Sequence, residues 1–224
     1  MLIQFRFLFL AIVLSLQTGC VSVSNNVQLV SNASASTTST ATAGTGLQTC
    51  EVKALMNSNG NKIDGLDPES IDFLNWNIYK GNGENWQRDL SGFAKDHDLM
   101  TIQEAVLNDE LTGLLEVHDF NWVMNTAFHL NGEAAGVMTV SGFDAVHSCG
   151  FHVKEPLVRI PKSTLISYYA INGSDEKLLV ANIHGINFTL GLSAYRKQLE
   201  KLYDAIEHHD GPMIVAGDFN SWSN

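Results

Sequence analysis

The sequence predicts an α/β sandwich in which two mostly antiparallel sheets stack face to face, with helices on both outer faces. Two observations predict it. The order of elements from Ile71 onward is strand, helix, strand, helix, then a run of five short strands, then helix and strand, which is not the alternation of a doubly wound sheet. Several strands also read as continuous apolar runs, as expected where one sheet face meets a second sheet and the other meets helices.

The elements follow in order. Ile71–Ile78 is a strongly apolar strand. Trp86, Leu90, Phe93 and Ala94 fall at helical spacing and place a helix over Glu84–Lys95. Leu99–Gln103 is a strand, and Leu107, Leu111, Leu114 and Leu115 mark a second helix. Phe120–Asn125, Gly136–Val140, Ala145–Phe151, Leu165–Ile171 and Leu178–Ile183 are strands rich in β-branched and aromatic residues, separated by Gly, Asn, Asp and Ser. Tyr195, Leu199, Leu202 and Ile206 mark a third helix, and Pro212–Ala216 is a last buried strand.

Residues 1–19 have the order of a secretory signal: Arg6, an apolar run from Phe7 to Leu16, then small residues. The run is shorter than the roughly 17–25 residues a spanning helix needs. Thr18-Gly19-Cys20 resembles a bacterial lipobox, although Gln17 stands where an aliphatic residue is usual. Cys20 is therefore the expected lipidation site. Val21 follows it, rather than the aspartate of inner-membrane retention, so the resemblance implies an outer-membrane lipoprotein facing the periplasm, or a secreted protein if Cys20 is not acylated. Residues 20–50 read as a tether: 21–49 carry no charge, and Ser31–Gly46 is almost entirely Ser, Thr, Ala, Asn and Gly. The folded domain is expected over 51–224.

In an oxidising compartment Cys50 and Cys149 form an even pair once Cys20 is set aside, which suggests a disulfide, with two free thiols as the alternative. The 24 acidic residues all lie from Glu51 onward, against 12 basic ones there, a net charge of −12. Such a domain does not attract long nucleic acid through its overall field. It suits a cation site, though the same charge also simply keeps a domain soluble.

Four polar groups sit at the ends of apolar strands: Asn77, Glu104, His184, and Asp218 with Asn220. Each alone reads as a turn former. Together they supply a carboxylate and amide oxygens for a hard cation, an imidazole for acid–base work or phosphate contact, and a second acidic group. Arg159 and Lys162, before the strand at Leu165, suit either a substrate phosphate or a solvated loop, and the loop is the plainer reading. His97, His118, His129, His147, His152, His208 and His209 have no place among the motifs.

Asn75-Trp76-Asn77-Ile78, Ile102-Gln103-Glu104, Asn182-Ile183-His184 and Gly217-Asp218-Phe219-Asn220 resemble, in order and spacing, the endonuclease/exonuclease/phosphatase (DNase I-like) superfamily. Trp76–Lys80, Gly136–Thr139 and the stretch from Leu179 to Ser223 are similar to its YafD-like bacterial branch. The resemblance implies a four-layer α/β/β/α sandwich hydrolysing phosphodiesters or phosphomonoesters with Mg²⁺ or Mn²⁺. Glu104 becomes the principal metal ligand, supported by Asn77. His184 contacts or protonates phosphate oxygens, Asp218 orients or deprotonates the attacking water, and Asn220 holds a phosphate oxygen. Nucleic acid, nucleotide and lipid head group all remain open as substrates, and a monomer is expected.

The superfamily pattern continues after Gly-Asp-Phe-Asn with a strand bearing an aspartate and a Ser-Asp-His segment. Neither follows Asp218 here, so the resemblance implies a sandwich incomplete at its C-terminus and impaired turnover. Two rivals stand beside the hydrolase: a catalytically inactive envelope lipoprotein that keeps the pocket, and a binding module whose exposed sheet edge pairs with a partner.

Overall fold

The computed structural model describes residues 20–24, 26–32, 64–187 and 191–221. The expected signal over 1–19, Cys50 and most of the expected tether lie outside them.

The chain order is β1 (Val21–Ser22), β2 (Gln28–Ser31), β3 (Phe73–Asn77), a 3-10 turn (Tyr79–Gly81), α1 (Trp86–Phe93), β4 (Leu99–Val106), α2 (Asp109–Val117), β5 (Asn121–Leu130), β6 (Glu133–Ser141), β7 (His147–Lys154), β8 (Pro161–Ala170), β9 (Lys177–His184), α3 (Ser193–Ile206) and β10 (Met213–Asp218). One sheet has the order β1-β5-β6-β4-β3, with β2 also on β5; the other has the order β10-β9-β8-β7. Pairing is antiparallel except for β3 with β4 and β9 with β10. The four-layer sandwich is the fold expected from the order of elements.

Alternation along the strands builds three apolar interfaces. Met100 and Ile102 of β4 and Met138 and Val140 of β6 face Trp86 and Leu90 of α1 and Leu111 and Leu115 of α2. Leu99, Tyr169, Leu178 and Val180 pack between the sheets. Ile166, Tyr168, Leu179, Ala181 and Ile183 face Leu202 of α3. Helix α2 starts cleanly because the Asn108 side chain accepts the Leu111 backbone N–H at 2.9 Å, satisfying one of the helix's orphan donors.

Between the sheets a polar stripe runs toward one rim. The Asn75 side-chain oxygen accepts from Thr101 (2.8 Å) and from Gln103 Nε2 (2.9 Å). Gln103 Nε2 also donates across the gap to Asn182 at 2.8 Å, and Asn182 donates to the Met138 carbonyl at 2.9 Å. Thr101, Gln103 and Asn182 are buried, so these contacts offset a desolvation cost of about 1–3 kcal/mol for each group that would otherwise be left unpaired. The stripe fixes how β3 and β4 sit on β9.

Strand β4 runs on to Val106, so Glu104 lies within it rather than at the strand end expected after Gln103, and two further features differ from the sequence expectation. Residues 21–22 and 28–31, read as tether, add short strands to β5. An uncharged segment there supplies the backbone partners that a sheet edge lacks. Asn32 extends the join, donating to the Phe120 carbonyl and accepting from the Trp122 N–H. Strand β8 also begins earlier than expected, at Pro161, so Lys162 lies within a strand rather than in a loop. Proline at a strand's first residue is compatible with the ladder and hid this start.

Cys149 lies on β7 and is disulfide-bonded, whereas Cys20 is free and exposed.

His152, also on β7, is half-buried with Nε2 2.9 Å from the Asn125 side-chain oxygen. Burial lowers its pKa to about 4 from 6.5, against a smaller opposing backbone contact at Thr126. A histidine with a depressed folded-state pKa contributes stability that is complete above pH 6.5 and is lost as pH falls toward 4, where the unfolded chain binds the proton first. Wild type is therefore expected to lose roughly 1–2 kcal/mol more than His152→Gln across that window. Urea melts of both proteins at pH 7 and pH 4.5 check this; parallel losses contradict it.

Candidate active site

The parallel pairs set the geometry. In β3 and β4 Asn77 lies opposite Gln103, and in β9 and β10 His184 lies opposite Asp218. Strand β10 packs against β3, where the Asn75 amide donates to the Gly217 carbonyl at 3.3 Å. The ends of β3, β9 and β10 and the residue after Gln103 thus meet at one rim.

Glu104 reaches that rim because β4 is irregular there. Its register with β6 shifts between Ile102 and Ala105, and Glu104 has φ +54°. A bulge turns one side chain out of the alternation, and a positive φ at a non-glycine residue is a strained conformation typical of functional sites. Glu104 is half-buried among fully buried neighbours. At β10, Gly217 has φ +147°, and a Cβ there would meet the Ile183 carbonyl oxygen at 2.0 Å, so only glycine lets β10 lie this close to β9 before Asp218.

The side chains converge tightly. The Asn77 amide nitrogen donates to Asp218 Oδ2 at 2.9 Å and to Glu104 Oε1 at 3.4 Å. Its oxygen accepts the Tyr79 backbone N–H at 3.0 Å. His184 Nε2 lies 3.8 Å from Glu104 Oε1 and 3.9 Å from Asp218 Oδ2. Asp218 Oδ1 accepts the Asn220 backbone N–H at 3.1 Å, and the Asn220 amide donates to the Gly185 carbonyl at 3.0 Å. The expected site residues Asn77, Glu104, His184, Asp218 and Asn220 therefore share one cleft.

Two lysines line the same cleft. Lys80, in the turn after β3, is paired with Glu104 Oε2. Lys162 Nζ lies 2.8 Å from His184 Nε2 and 4.0 Å from Glu155. Burial pushes the Glu104 carboxyl up, but the hydrogen bond and charge of Lys80, the His184 charge and the Asn77 contact together hold it below its ordinary value. Burial and the Lys162 charge lower His184 to about 4 against the pull of Glu104 and Asp218, so its imidazole is neutral at pH 7. Burial also lowers Lys162, opposed by Glu155, Glu104 and Asp218.

The donor set fits a hard cation held by few protein oxygens. Among the described residues no group of three or more His, Cys, Asp or Glu side chains forms a metal cage. Magnesium-type ions keep several waters and bind through one or two carboxylates plus substrate phosphate, which Glu104 and Asp218 could provide. Asn77 presents its N–H to both carboxylates here, and a half-turn of the amide would present its oxygen to the same point.

Sequence reasoning missed Lys80 and Glu155, and for Lys162 it set a phosphate contact beside a solvated loop and preferred the loop. One signal for Lys162 is topological: in an antiparallel pair the start of β8 lies beside the end of β9, so a residue next to Pro161 must lie near His184. Arg159 is exposed in the turn between β7 and β8. The other histidines make local contacts: His97 with the Phe93 carbonyl, His118 with Ser91, and His209 with the Pro212 carbonyl.

A two-sheet α/β sandwich gathers carboxylates, an imidazole and amides at one rim. The Endonuclease/Exonuclease/phosphatase family model matches residues 74–224, and the chain belongs to that family. A UPF0294 protein of Vibrio campbellii is 43% identical over 155 residues, 68% of this chain and 54% of that protein. A UPF0294 protein of Klebsiella pneumoniae is 39% identical over 155 residues, 69% of this chain and 58% of that protein. These relatives are of the YafD-like branch. The chain spans less than two thirds of the length of these relatives. The sandwich is also similar to the human Nocturnin catalytic domain with bound sulfate (TM-score 0.52, 18% identity, 71% of this chain and 68% of that one). It is similar as well to ANGEL2, a 2′,3′-cyclic phosphatase in complex with adenosine-2′,3′-vanadate (TM-score 0.54, 18% identity, 72% and 57%). Family membership supports a phosphoesterase- or nuclease-like hydrolase, and enzymes of the family generally use divalent metal ions.

Proposed function

We propose that this protein is a Mg²⁺- or Mn²⁺-dependent phosphoester hydrolase of the bacterial envelope. One observation carries the reading: Glu104, Asp218 and His184 converge on Asn77 at a single rim. Glu104 would hold the cation with support from Asn77, and the bound metal would polarise the substrate phosphate. Asp218, fixed by Asn77 and the Asn220 N–H, takes the proton from water as its oxygen bonds to phosphorus, and the ester P–O bond breaks with the leaving oxygen taking a proton from solvent to depart as the alcohol. Neutral His184 contacts a phosphate oxygen, and the Asn220 amide steadies another as charge builds.

The net charge of −12 over residues 51–224 favours a small phosphoester, a nucleotide or lipid head group, over long nucleic acid. The vanadate complex of ANGEL2 is consistent with a nucleotide in a cleft of this fold. Incubation of the full product of the gene with a panel of phosphomono- and diesters tests the reading. Turnover with Mg²⁺ or Mn²⁺ that a chelator abolishes supports it; no turnover with any member sinks it. The Lys80–Glu104 pair favours the alternative, an inactive cleft whose carboxylate is already neutralised, and the same panel decides between them.

The envelope location is part of the proposal. Residues 1–19 are removed and Cys20 is acylated, which holds the domain at the membrane as a lipoprotein. Cys20 is exposed at the edge of the fold, as an attachment point should be. A clickable fatty-acid analogue is expected to label wild type and not Cys20→Ser. Unlabelled wild type cut at another position leaves ordinary secretion instead.

A further inference from the structure

We propose that Lys162 is a phosphate-binding residue of the cleft, held in place by the buried carboxylate of Glu155; this rests on the phosphoester reading above and adds a substrate contact to it. The geometry is specific. The Lys162 side chain is 13% exposed and that of Glu155 2%, so the ammonium is an interior cation rather than a solvated one. Glu155 is itself fixed by the Asn187 backbone N–H at 2.8 Å. The line Glu155–Lys162–His184 therefore runs from the interior into the cleft and ends 2.8 Å from an imidazole nitrogen.

The contact with His184 has a chemical consequence. An ammonium has only protons to give, so His184 Nε2 must accept with its lone pair, and the ring proton must sit on Nδ1. An imidazole nitrogen is a weaker partner for a buried ammonium than a phosphate oxygen, because the oxygen carries charge. A phosphate entering between Glu104 and His184 offers Lys162 that stronger acceptor. The ammonium transfers one hydrogen bond from the imidazole to a non-bridging oxygen, and His184, no longer held as an acceptor at Nε2, exchanges its ring proton through solvent from Nδ1 to Nε2 and donates it to the same phosphate. Lys162 thus contributes a second positive charge beside His184, within electrostatic range of Glu104, Asp218 and Lys80. The backbone of His184 is independently fixed, since Gln198 donates to its carbonyl at 2.9 Å and accepts the Ile186 N–H at 2.8 Å. The imidazole can therefore change partner without the strand moving.

Inorganic phosphate is the probe, titrated into the chain labelled with ¹⁵N-histidine and followed by calorimetry and by the His184 Nε2 resonance. Wild type is expected to bind phosphate saturably, with a shift of that resonance as its lysine partner leaves. Lys162→Met, and the neutral pair Glu155→Gln with Lys162→Met, should weaken binding about tenfold and remove the shift. Lys162→Arg should retain most of the affinity. The double variant leaves no buried charge unpaired, so it carries the test if the single variant fails to fold. Phosphate affinity unchanged in the double variant, or a wild-type His184 resonance that phosphate does not move, overturns the proposal, as does an absence of saturable binding. The hydrolase reading fails separately: binding that depends on Lys162 without turnover of any ester defeats that reading alone. Turnover equal in wild type and the double variant defeats the lysine's role alone.

Discussion

Glu104→Gln is expected to lower phosphoester hydrolysis by about a thousandfold or more, the scale of losing several kcal/mol of charge stabilisation at the reacting phosphate. Two consequences of the substitution act together. The amide no longer offers a charged oxygen to a hard cation, and the Lys80 ammonium loses its partner and is free to sit where the cation belongs. The fold should survive, because Glu104 is only half-buried and glutamine can still accept from the Asn77 amide. Thermal melting of the variant checks this, and metal titration separates the two causes. A cation affinity weakened together with the rate is the expected pattern. A rate unchanged within a few-fold would remove Glu104 from the metal site.

Asp218→Asn is the second large effect, a loss of about a hundred- to ten-thousandfold in kcat, the range for removing a general base. Asp218 uses Oδ2 to accept from Asn77 and Oδ1 to accept from the Asn220 backbone. An asparagine turns one of those acceptors into a donor, setting two N–H groups against each other beside His184. Substrate affinity should change little, so the loss falls in kcat rather than KM. A profile of kcat against pH, measured on wild type and variant, is the informative form of the experiment. A variant that retains the wild-type acid limb at reduced amplitude shows the water being activated by another group.

The fold was legible because its layers depend on periodicity. Trp86 and Leu90, Leu111 and Leu115, and Leu199 and Leu202 sit at helical spacing, and each pair lies on the face turned to a sheet. The strand-end residues were legible for a related reason: a polar group that interrupts an apolar strand has either to turn the chain or to meet a ligand. What escaped has physical causes. Glu104 was expected at the site, but the bulge that carries it to the rim was not legible, because a one-residue register shift leaves no periodic trace. Lys162 looked like a loop residue because Pro161 disguised the start of β8. Strands β1 and β2 are short and exposed, and they exist because β5 has an edge to be covered rather than because their own residues demand a strand. The polar stripe of Asn75, Gln103 and Asn182 joins residues more than a hundred positions apart, from Asn75 to Asn182, which local patterns cannot reveal.

The measurement that bears most directly on the central claim, a cation held at Glu104 beside a phosphate site, is diffraction at the manganese edge from crystals of this chain soaked in Mn²⁺ with and without phosphate. One anomalous peak is expected in the cleft, within direct or one-water reach of a Glu104 carboxylate oxygen, with the Lys80 ammonium displaced and, when phosphate is present, a phosphate bridging the ion to His184 and Lys162. A cleft without a peak, with Lys80 still seated on Glu104 while manganese binds elsewhere or nowhere, would contradict the account.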